Sequence, residues 1–395
     1  MATLPDSTHT TAHQIVRWYE SKPQEHRPHM GASLIGHQCE RSIWLTWRWA
    51  MKPEFSGRIL RLFSTGQREE ARLIEELRGI GATVWDTDEA GNQWRVSACN
   101  GHFGGSLDGV AKGLPEAPKT VAVLEFKTHS AKSFTDLVKK KVREAKPQHF
   151  DQMTVYMGLM DLDRALYMAV NKDTDDLYTE WVHFDQERFT VLMDRAERLI
   201  EMSEPPMKLS DDPAYFVCKM CTFWKHCHNG LAAEANCRTC CYASPVENAA
   251  WHCSKHDGHL NTKEQSIGCK QHLMIPALVP YGEAVDGGEN WVAYKHRDNG
   301  VMFVNGPENC SDYGPVFSSQ ELHNCPGSLI ADVINVKQEF PVSKVTSGSV
   351  NAPGMDWDAI STHPDDIPVK PDAPTKRETA KKIKAAVQAM EAMKK

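Results

Sequence analysis

The sequence predicts a mixed α/β protein carrying a small cysteine-rich module. Three observations predict it. Between residues 30 and 230, segments of helical spacing alternate with segments of strand character. The run Val121-Ala122-Val123-Leu124-Glu125-Phe126-Lys127 reads as a strand of the buried kind. Seven of the twelve cysteines crowd into residues 218–253, a density that suits metal ligation where thiols stay reduced.

The elements follow in order. Residues 1–30 read as an N-terminal helical extension, with its helix at 10–22. A second helix fits 40–50, and a longer one fits 58–78, ended by Gly79 and Gly81. Strands fit 82–87, 92–98, 103–112 and 121–127. Helical patterns return at 133–145 and 148–161. Strands at 164–170 and 177–184 and a helix at 186–203 complete a core domain spanning 31–230. Residues 231–275 read as a Cys/His zinc module. Residues 276–350 read as a small β-rich element, with alternating stretches such as Trp291-Val292-Ala293-Tyr294. Five prolines and five aspartates make 351–375 an extended linker. In 376–395, Ile383, Val387 and Met390 recur at i, i+4, i+7, giving a basic amphipathic helix.

Composition excludes a wholly disordered or fibrous chain: of 395 residues, 41% are hydrophobic and 25% charged. With 45 basic and 52 acidic side chains the net charge is −7. Bulk charge therefore cannot hold nucleic acid, and any such contact needs a local basic patch. Lys139, Lys140, Lys141, Arg143 and Lys146 supply one, followed by Gln148. No apolar run approaches the ~20 residues that span a bilayer. The start, MATLPDSTHTTAHQ, lacks the pattern of a secretory leader. The expectation is a cytoplasmic protein with no membrane partner.

The strand 121–127 has a side-chain period of two, so Glu125 and Lys127 point to one face. Asp108 lies about one strand earlier, in Gly105-Ser106-Leu107-Asp108. Carboxylates on adjacent strands can clamp a divalent cation, and the lysine can orient water or shield phosphate charge. On helix 58–78, Phe63, Gly66, Glu70, Leu73, Ile74 and Leu77 share a stripe, which turns Glu70 inward, where it needs a partner. On the helix near 148–161, Gln148, Gln152 and Tyr156 share a face at i, i+4, i+8. Each feature alone has a plain structural reading, as a surface ion pair or a solvated helix face. The four in this order favour a chemical one.

The order Gly66…Glu70, Gly105-Ser106-Leu107-Asp108, Leu124-Glu125-Phe126-Lys127, Gln152-Met153-Thr154-Val155-Tyr156 resembles the PD-(D/E)xK nuclease superfamily. More narrowly it resembles the RecB-like exonuclease branch, over roughly residues 31–230. The resemblance implies a restriction-endonuclease-like core, a mixed central sheet flanked by helices. It implies a magnesium- or manganese-dependent deoxyribonuclease of recombination or repair, related to phage recombination exonucleases. Phage encoding would place it in the bacterial host cytoplasm. By the resemblance, Glu70, Asp108 and Glu125 bind the metal, Lys127 assists water, and Gln152 and Tyr156 contact the DNA end. Leu107 stands where the family often has proline. An endonuclease of the same superfamily, or a retired nuclease fold that binds DNA or assembles with partners, are the rival readings. The basic C-terminal helix is a candidate docking element for a single-strand annealing protein, or else a solvated tail.

Cys218, Cys221 and Cys227 follow a C-x2-C-x5-C pattern that lacks a fourth ligand, and Cys39 is the cysteine nearest the start of the core. This set resembles the iron–sulfur nucleases, including AddB and the RecB-like CRISPR-adaptation nucleases. The resemblance implies a 4Fe-4S cluster on Cys39, Cys218, Cys221 and Cys227. Structural zinc at the same thiolates is the alternative. Cys237, Cys240, Cys253 and Cys269 form a second set, with the spacing of a structural zinc site. His256 or His272 could substitute there, and Cys241 competes with Cys240. Cys99, Cys310 and Cys325 show no pairing pattern.

Overall fold

The structure is a computed structural model that describes residues 10–307, 312–340 and 344–346. The expected linker at 351–375, the basic helix at 376–395 and Cys310 lie outside the described residues. The chain gathers into two compact units. Of the described residues, the first takes 10–36 and 53–197; the second takes 37–52 and those from 198 to 346. The sequence reading drew its boundaries elsewhere, at 30, 230 and 275. Contiguous segments are all that composition can mark, whereas residues 37–52 leave the first unit and return.

The first unit opens with α1 (Thr11–Glu20) and β1 (Met30–Gly31). After α2 (Glu40–Trp47), which belongs to the second unit, the chain returns as α3 (Gly57–Gly79). Then follow β2 (Thr83–Trp85), β3 (Arg95–Ala98), β4 (Phe103–Ser106), β5 (Gly109–Leu114) and β6 (Ala117–His129). Next come α4 (Ala131–Ala145), α5 (Pro147–Met160), β7 (Arg164–Asn171), β8 (Leu177–His183) and α6 (Gln186–Glu201). Five strands form one mixed sheet in the order β2-β5-β6-β7-β8. Only β6 and β7 run parallel in it, because α4 and α5 carry the crossover between them. A smaller sheet has the order β1-β4-β3.

The strand period divides the larger sheet into two faces. Leu124, Phe126, Leu166, Met168 and Val170 point to one face and pack with Leu73 and Leu77 of α3. Burying each such side chain contributes ~1.5–3 kcal/mol. Glu125, Lys127 and Tyr167 have the opposite parity and face α4 and α5. One sheet thus carries an apolar face for stability and a polar face that can do chemistry. The stripe expected on α3 is only half inward. Leu73 and Leu77 are buried, but Phe63 is 48% exposed.

The second unit contains α7 (Phe216–Lys219), α8 (Trp224–His228), β9 (Ala243–Pro245), β10 (Trp251–Cys253), β11 (Gly258–Leu260) and α9 (Thr262–Gln265). It continues through β12 (Gly282–Gly287), β13 (Val292–His296), β14 (Met302–Asn305), β15 (Val316–Phe317), α10 (Ser319–Asn324) and α11 (Gly327–Glu339). Its core holds Trp44, Trp47, Trp49 and Trp251. The guanidinium of Arg48 lies 5.0 Å from the Trp251 ring, and that of Arg238 lies 3.8 Å from the Trp49 ring. The element at 276–350 is not only β. After the four-stranded sheet β12-β13-β14-β15 come two helices. Ser318 and Glu321 form a capping box that starts the first of them, a signal present in the sequence. Among the described residues no helix is long and apolar enough to cross a membrane.

Candidate active site

Glu125 and Lys127 project from β6 onto the polar face. Glu125 is 0% exposed. Lys127 Nζ bonds Glu125 Oε1, and it reaches the Phe126 carbonyl at 3.2 Å. Asp108 arrives from a corner. The sequence reading ran one strand through 103–112, but the chain bends at Leu107–Asp108 and passes from the small sheet to the large one. That bend turns the Asp108 carboxylate onto β6, where Oδ2 accepts the Phe126 N–H at 2.7 Å. Glu70 stands half-buried on α3, near enough that Asp108 and Lys127 both act on its charge.

Gln152 and Tyr156 close the group from α5. Gln152 Nε2 donates to Glu125 Oε2 at 3.2 Å and to the Tyr156 hydroxyl at 3.1 Å. The Tyr156 hydroxyl donates to the Ser106 carbonyl at 2.9 Å. Gly105 makes this possible, since a Cβ there would stand 2.5 Å from the Tyr156 oxygen. Gln148, one turn earlier, stays outside this hydrogen-bonded group. Asp151 of the same helix is buried and forms a two-point ion pair with Arg188, at 2.7 and 2.6 Å.

The electrostatics are those of crowded carboxylates around one cation. Burial raises Glu125 to about 7, with Lys127 opposing and Asp108 and Glu70 adding to the rise. Burial likewise raises Asp108 against the pull of Lys127, and raises Glu70 with help from Asp108. Burial works against the Lys127 ammonium, yet Glu125, Asp108 and Glu70 outweigh it and push its pKa up. Oxygen donors that raise one another are the chemistry a hard divalent cation relieves. In donor type the three carboxylates fit magnesium or manganese. As they stand, no three His, Cys, Asp or Glu side chains among the described residues are gathered tightly enough to hold an ion.

One polar chain beside this site was missed in the sequence. Parallel pairing sets Tyr167 of β7 directly beside Glu125. The Tyr167 hydroxyl bonds His129 Nε2 and His149 Nδ1, both at 2.9 Å. His129 Nδ1 meets Ser133 Oγ at 3.0 Å, and Lys146 Nζ donates to the same oxygen at 2.8 Å. Burial, then the Lys146 and Lys127 charges, lower His129 to about 4. Burial, then Lys127, lower His149 to about 3. The period of two on β6 could have flagged His129. The register that brings in Tyr167 is not readable along the chain.

The basic patch is partly committed. Lys140 pairs with Asp136 at 2.9 Å and Arg143 with Asp185 at 2.9 Å. Lys139 and Lys141 are exposed. The expected helix is broken at Lys141, whose φ is +68°, and the next N–H, of Val142, bonds Glu180 at 2.9 Å.

Both cysteine sets lie in the second unit. Cys39, Cys218, Cys221 and Cys227 line one cavity, together with Arg41 and Ser42. Burial raises the Cys218 thiol, and Cys39 and Cys221 add to the rise. Burial raises Cys227 against the Arg41 charge. Four thiols facing one another suit thiolate ligation, though they too are not drawn into metal geometry. In the second set, burial drives Cys237 up to about 12, and Cys240, Cys269 and Cys253 add to it. His256 Nε2 lies 3.6 Å from Cys269 Sγ. The substitute His272 is engaged elsewhere: its Nε2 lies 2.8 Å from the Asn236 carbonyl. Cys241 turns toward the Met274 carbonyl at 3.4 Å. Cys325 is buried, and Cys99 joins neither set.

No family model matches the chain, and no curated protein does. Solved structures similar to it include LHK-Exo in complex with dAMP, at 12% identity, covering 47% of this chain and 89% of that one, with a TM-score of 0.32. The alkaline exonuclease LHK-Exo from Laribacter hongkongensis is 12% identical, covering 46% and 90%, with a TM-score of 0.32. SSO0001 is 14% identical, covering 53% and 90%, also with a TM-score of 0.32. Likenesses this distant decide nothing about activity.

Proposed function

We propose that the chain is a metal-dependent deoxyribonuclease that hydrolyses phosphodiester bonds from the ends of linear DNA, in recombination or repair. The observation that carries the reading is the convergence of Asp108, Glu125 and Lys127 on one sheet face, with Gln152 fastened to Glu125. Glu70, Asp108 and Glu125 would hold magnesium or manganese, which when bound activates water and neutralises phosphate charge. Lys127, kept protonated by its carboxylate neighbours, supplies positive charge where the phosphorane develops negative charge. Gln152 holds the Glu125 carboxylate in a fixed orientation, and Tyr156 ties α5 to the Ser106 carbonyl. Lys139 and Lys141 would track the phosphate backbone. The four thiols of Cys39, Cys218, Cys221 and Cys227 would hold a 4Fe-4S cluster or zinc. Cys237, Cys240, Cys253 and Cys269 would hold structural zinc. A single-strand annealing protein is the proposed partner.

The test uses the full chain, purified without oxygen, on end-labelled linear DNA and on a covalently closed circle, with and without magnesium or manganese. Metal-dependent loss of the linear DNA alone, absent in Lys127→Ala, is the expected result. Cutting of the circle would make the chain an endonuclease. Binding of DNA with no cleavage of either substrate would favour the retired fold.

A further inference from the structure

A chain of hydrogen bonds crosses the polar face from Lys146 to His149. Lys146 Nζ donates to Ser133 Oγ at 2.8 Å, and Ser133 Oγ meets His129 Nδ1 at 3.0 Å. The Tyr167 hydroxyl then joins His129 Nε2 to His149 Nδ1, at 2.9 Å on each side. Burial first, then the lysine charges, hold the two rings neutral, at about 4 for His129 and about 3 for His149. His149 also stands in the first turn of α5, where the helix dipole disfavours a cation. A hydroxyl and a neutral imidazole each have one proton to give, so the protons of the chain order together. Lys146 sets the order, because an ammonium only donates. Its charge turns each proton away from itself: Ser133 donates to His129 Nδ1, His129 Nε2–H donates to Tyr167, and Tyr167 donates to His149 Nδ1. The reverse order would aim the His129 proton at an oxygen that already holds an ammonium proton. The other nearby cation, Lys127, is answered by Glu125 and Asp108.

His149 then carries its proton on Nε2. That nitrogen has no hydrogen-bond partner among the described residues, and it is not one of the buried polar atoms left without one, so it opens to solvent. Three relationships place the ring beside the candidate active site. One turn further along α5, Gln152 holds Glu125. The Lys127 charge acts on His149 directly. Tyr167, which His149 bonds, is the register partner of Glu125.

We infer that His149 is a catalytic residue whose Nε2–H donates to a non-bridging oxygen of the scissile phosphate, and that Lys146, Ser133, His129 and Tyr167 are positioning residues that hold its proton on that nitrogen. This rests on the nuclease reading. A neutral donor suits the site: it stabilises the charge that builds on the phosphate oxygen in the transition state, and it sets no further cation against a divalent ion. The same proton excludes His149 as the base that deprotonates the attacking water.

The full chain is tested by two readouts. The first is NMR of protein with isotope-labelled histidine, the His149 signals being identified by their loss in His149→Gln. It reads which ring nitrogen holds the proton. Nε2 is expected in wild type, with a shift toward Nδ1 in Tyr167→Phe and in Lys146→Met, the latter at the half-buried end of the chain. A wild-type proton on Nδ1 overturns the inference whatever the activity, and an Nε2 proton indifferent to both variants overturns the positioning role. The second readout is cleavage of end-labelled linear DNA by excess protein with magnesium or manganese. An asparagine amide reaches the place of Nδ1, and a glutamine amide that of Nε2. His149→Asn should therefore slow cleavage about a hundredfold with DNA affinity unchanged. His149→Gln should recover most of the rate, although it gives up the Tyr167 bond. A purely structural role predicts the opposite order, since asparagine keeps that bond. That order, or equal rates, overturns the donor role and leaves the nuclease standing. A wild-type chain that binds DNA and cleaves nothing overturns the nuclease reading and the donor role together.

Discussion

Gln152 and Glu125 meet across 27 residues of chain, the amide donating at 3.2 Å to the carboxylate oxygen that Lys127 does not hold. Gln152→Leu would remove the donor and leave a buried oxygen of Glu125 without one. That costs ~1–3 kcal/mol, read as a lower urea midpoint with unchanged slope. Cleavage should fall more steeply than stability, because Glu125 loses its fixed orientation. An unaltered midpoint would mean that Glu125 finds another donor.

Gly105 is the position where a single methyl group should disable the site without removing any proposed ligand. A Cβ there would press on the Tyr156 oxygen at 2.5 Å, the atom whose hydrogen bond holds Tyr156 against the Ser106 carbonyl. Gly105→Ala should displace α5 locally and lower the turnover rate at least tenfold. Gly105→Ala combined with Tyr156→Phe removes the oxygen it collides with, and should recover part of the lost thermal stability. A single variant as active as wild type would show that α5 tolerates the shift.

His149 gives a pH dependence of known sign. Burial, then the Lys127 charge, hold it at about 3 in the fold, against ~6.5 in an unfolded chain. The unfolded chain therefore binds the extra proton first as pH falls. Stability from the neutral ring is complete above about pH 6.5 and is lost progressively toward pH 3. Wild type and His149→Gln, compared by chemical denaturation, should differ most at pH 7.5 and less at pH 5. A constant difference would mean the ring titrates normally.

The two cysteine sets should separate by analysis of bound metal. Cys218→Ser should lower iron, or zinc if that is the occupant, by one site's worth, and Cys253→Ser should lower zinc alone. Either loss should reduce the cooperativity of unfolding in the second unit, since thiolate ligation contributes folding free energy directly. Wild-type protein without bound iron or zinc would refute both assignments.

Local signals carried most of the secondary structure. Strand β6, helix α5 with Pro147 in its first turn, and the end of α3 near Gly79 and Gly81 all follow from periodicity and capping. The sharing of a face by Glu125 and Lys127 follows from the strand period alone. The Ser318–Glu321 capping box was equally local, and the two helices it introduces at 319–339 were legible though read as β.

What the sequence determined by itself is which residue types stand at which spacing: a Glu and a Lys on one strand face, a Gln and a Tyr on one helix face, cysteines in two sets. Tertiary structure alone decided what those faces meet. The bend at Leu107–Asp108, the parallel register that puts Tyr167 beside Glu125, and the exposure of Phe63 depend on contacts between distant segments. Periodicity reports the direction of a side chain about its own axis, within a few residues. It carries no information about where the neighbouring element begins or stops, and that is set by packing across the whole unit.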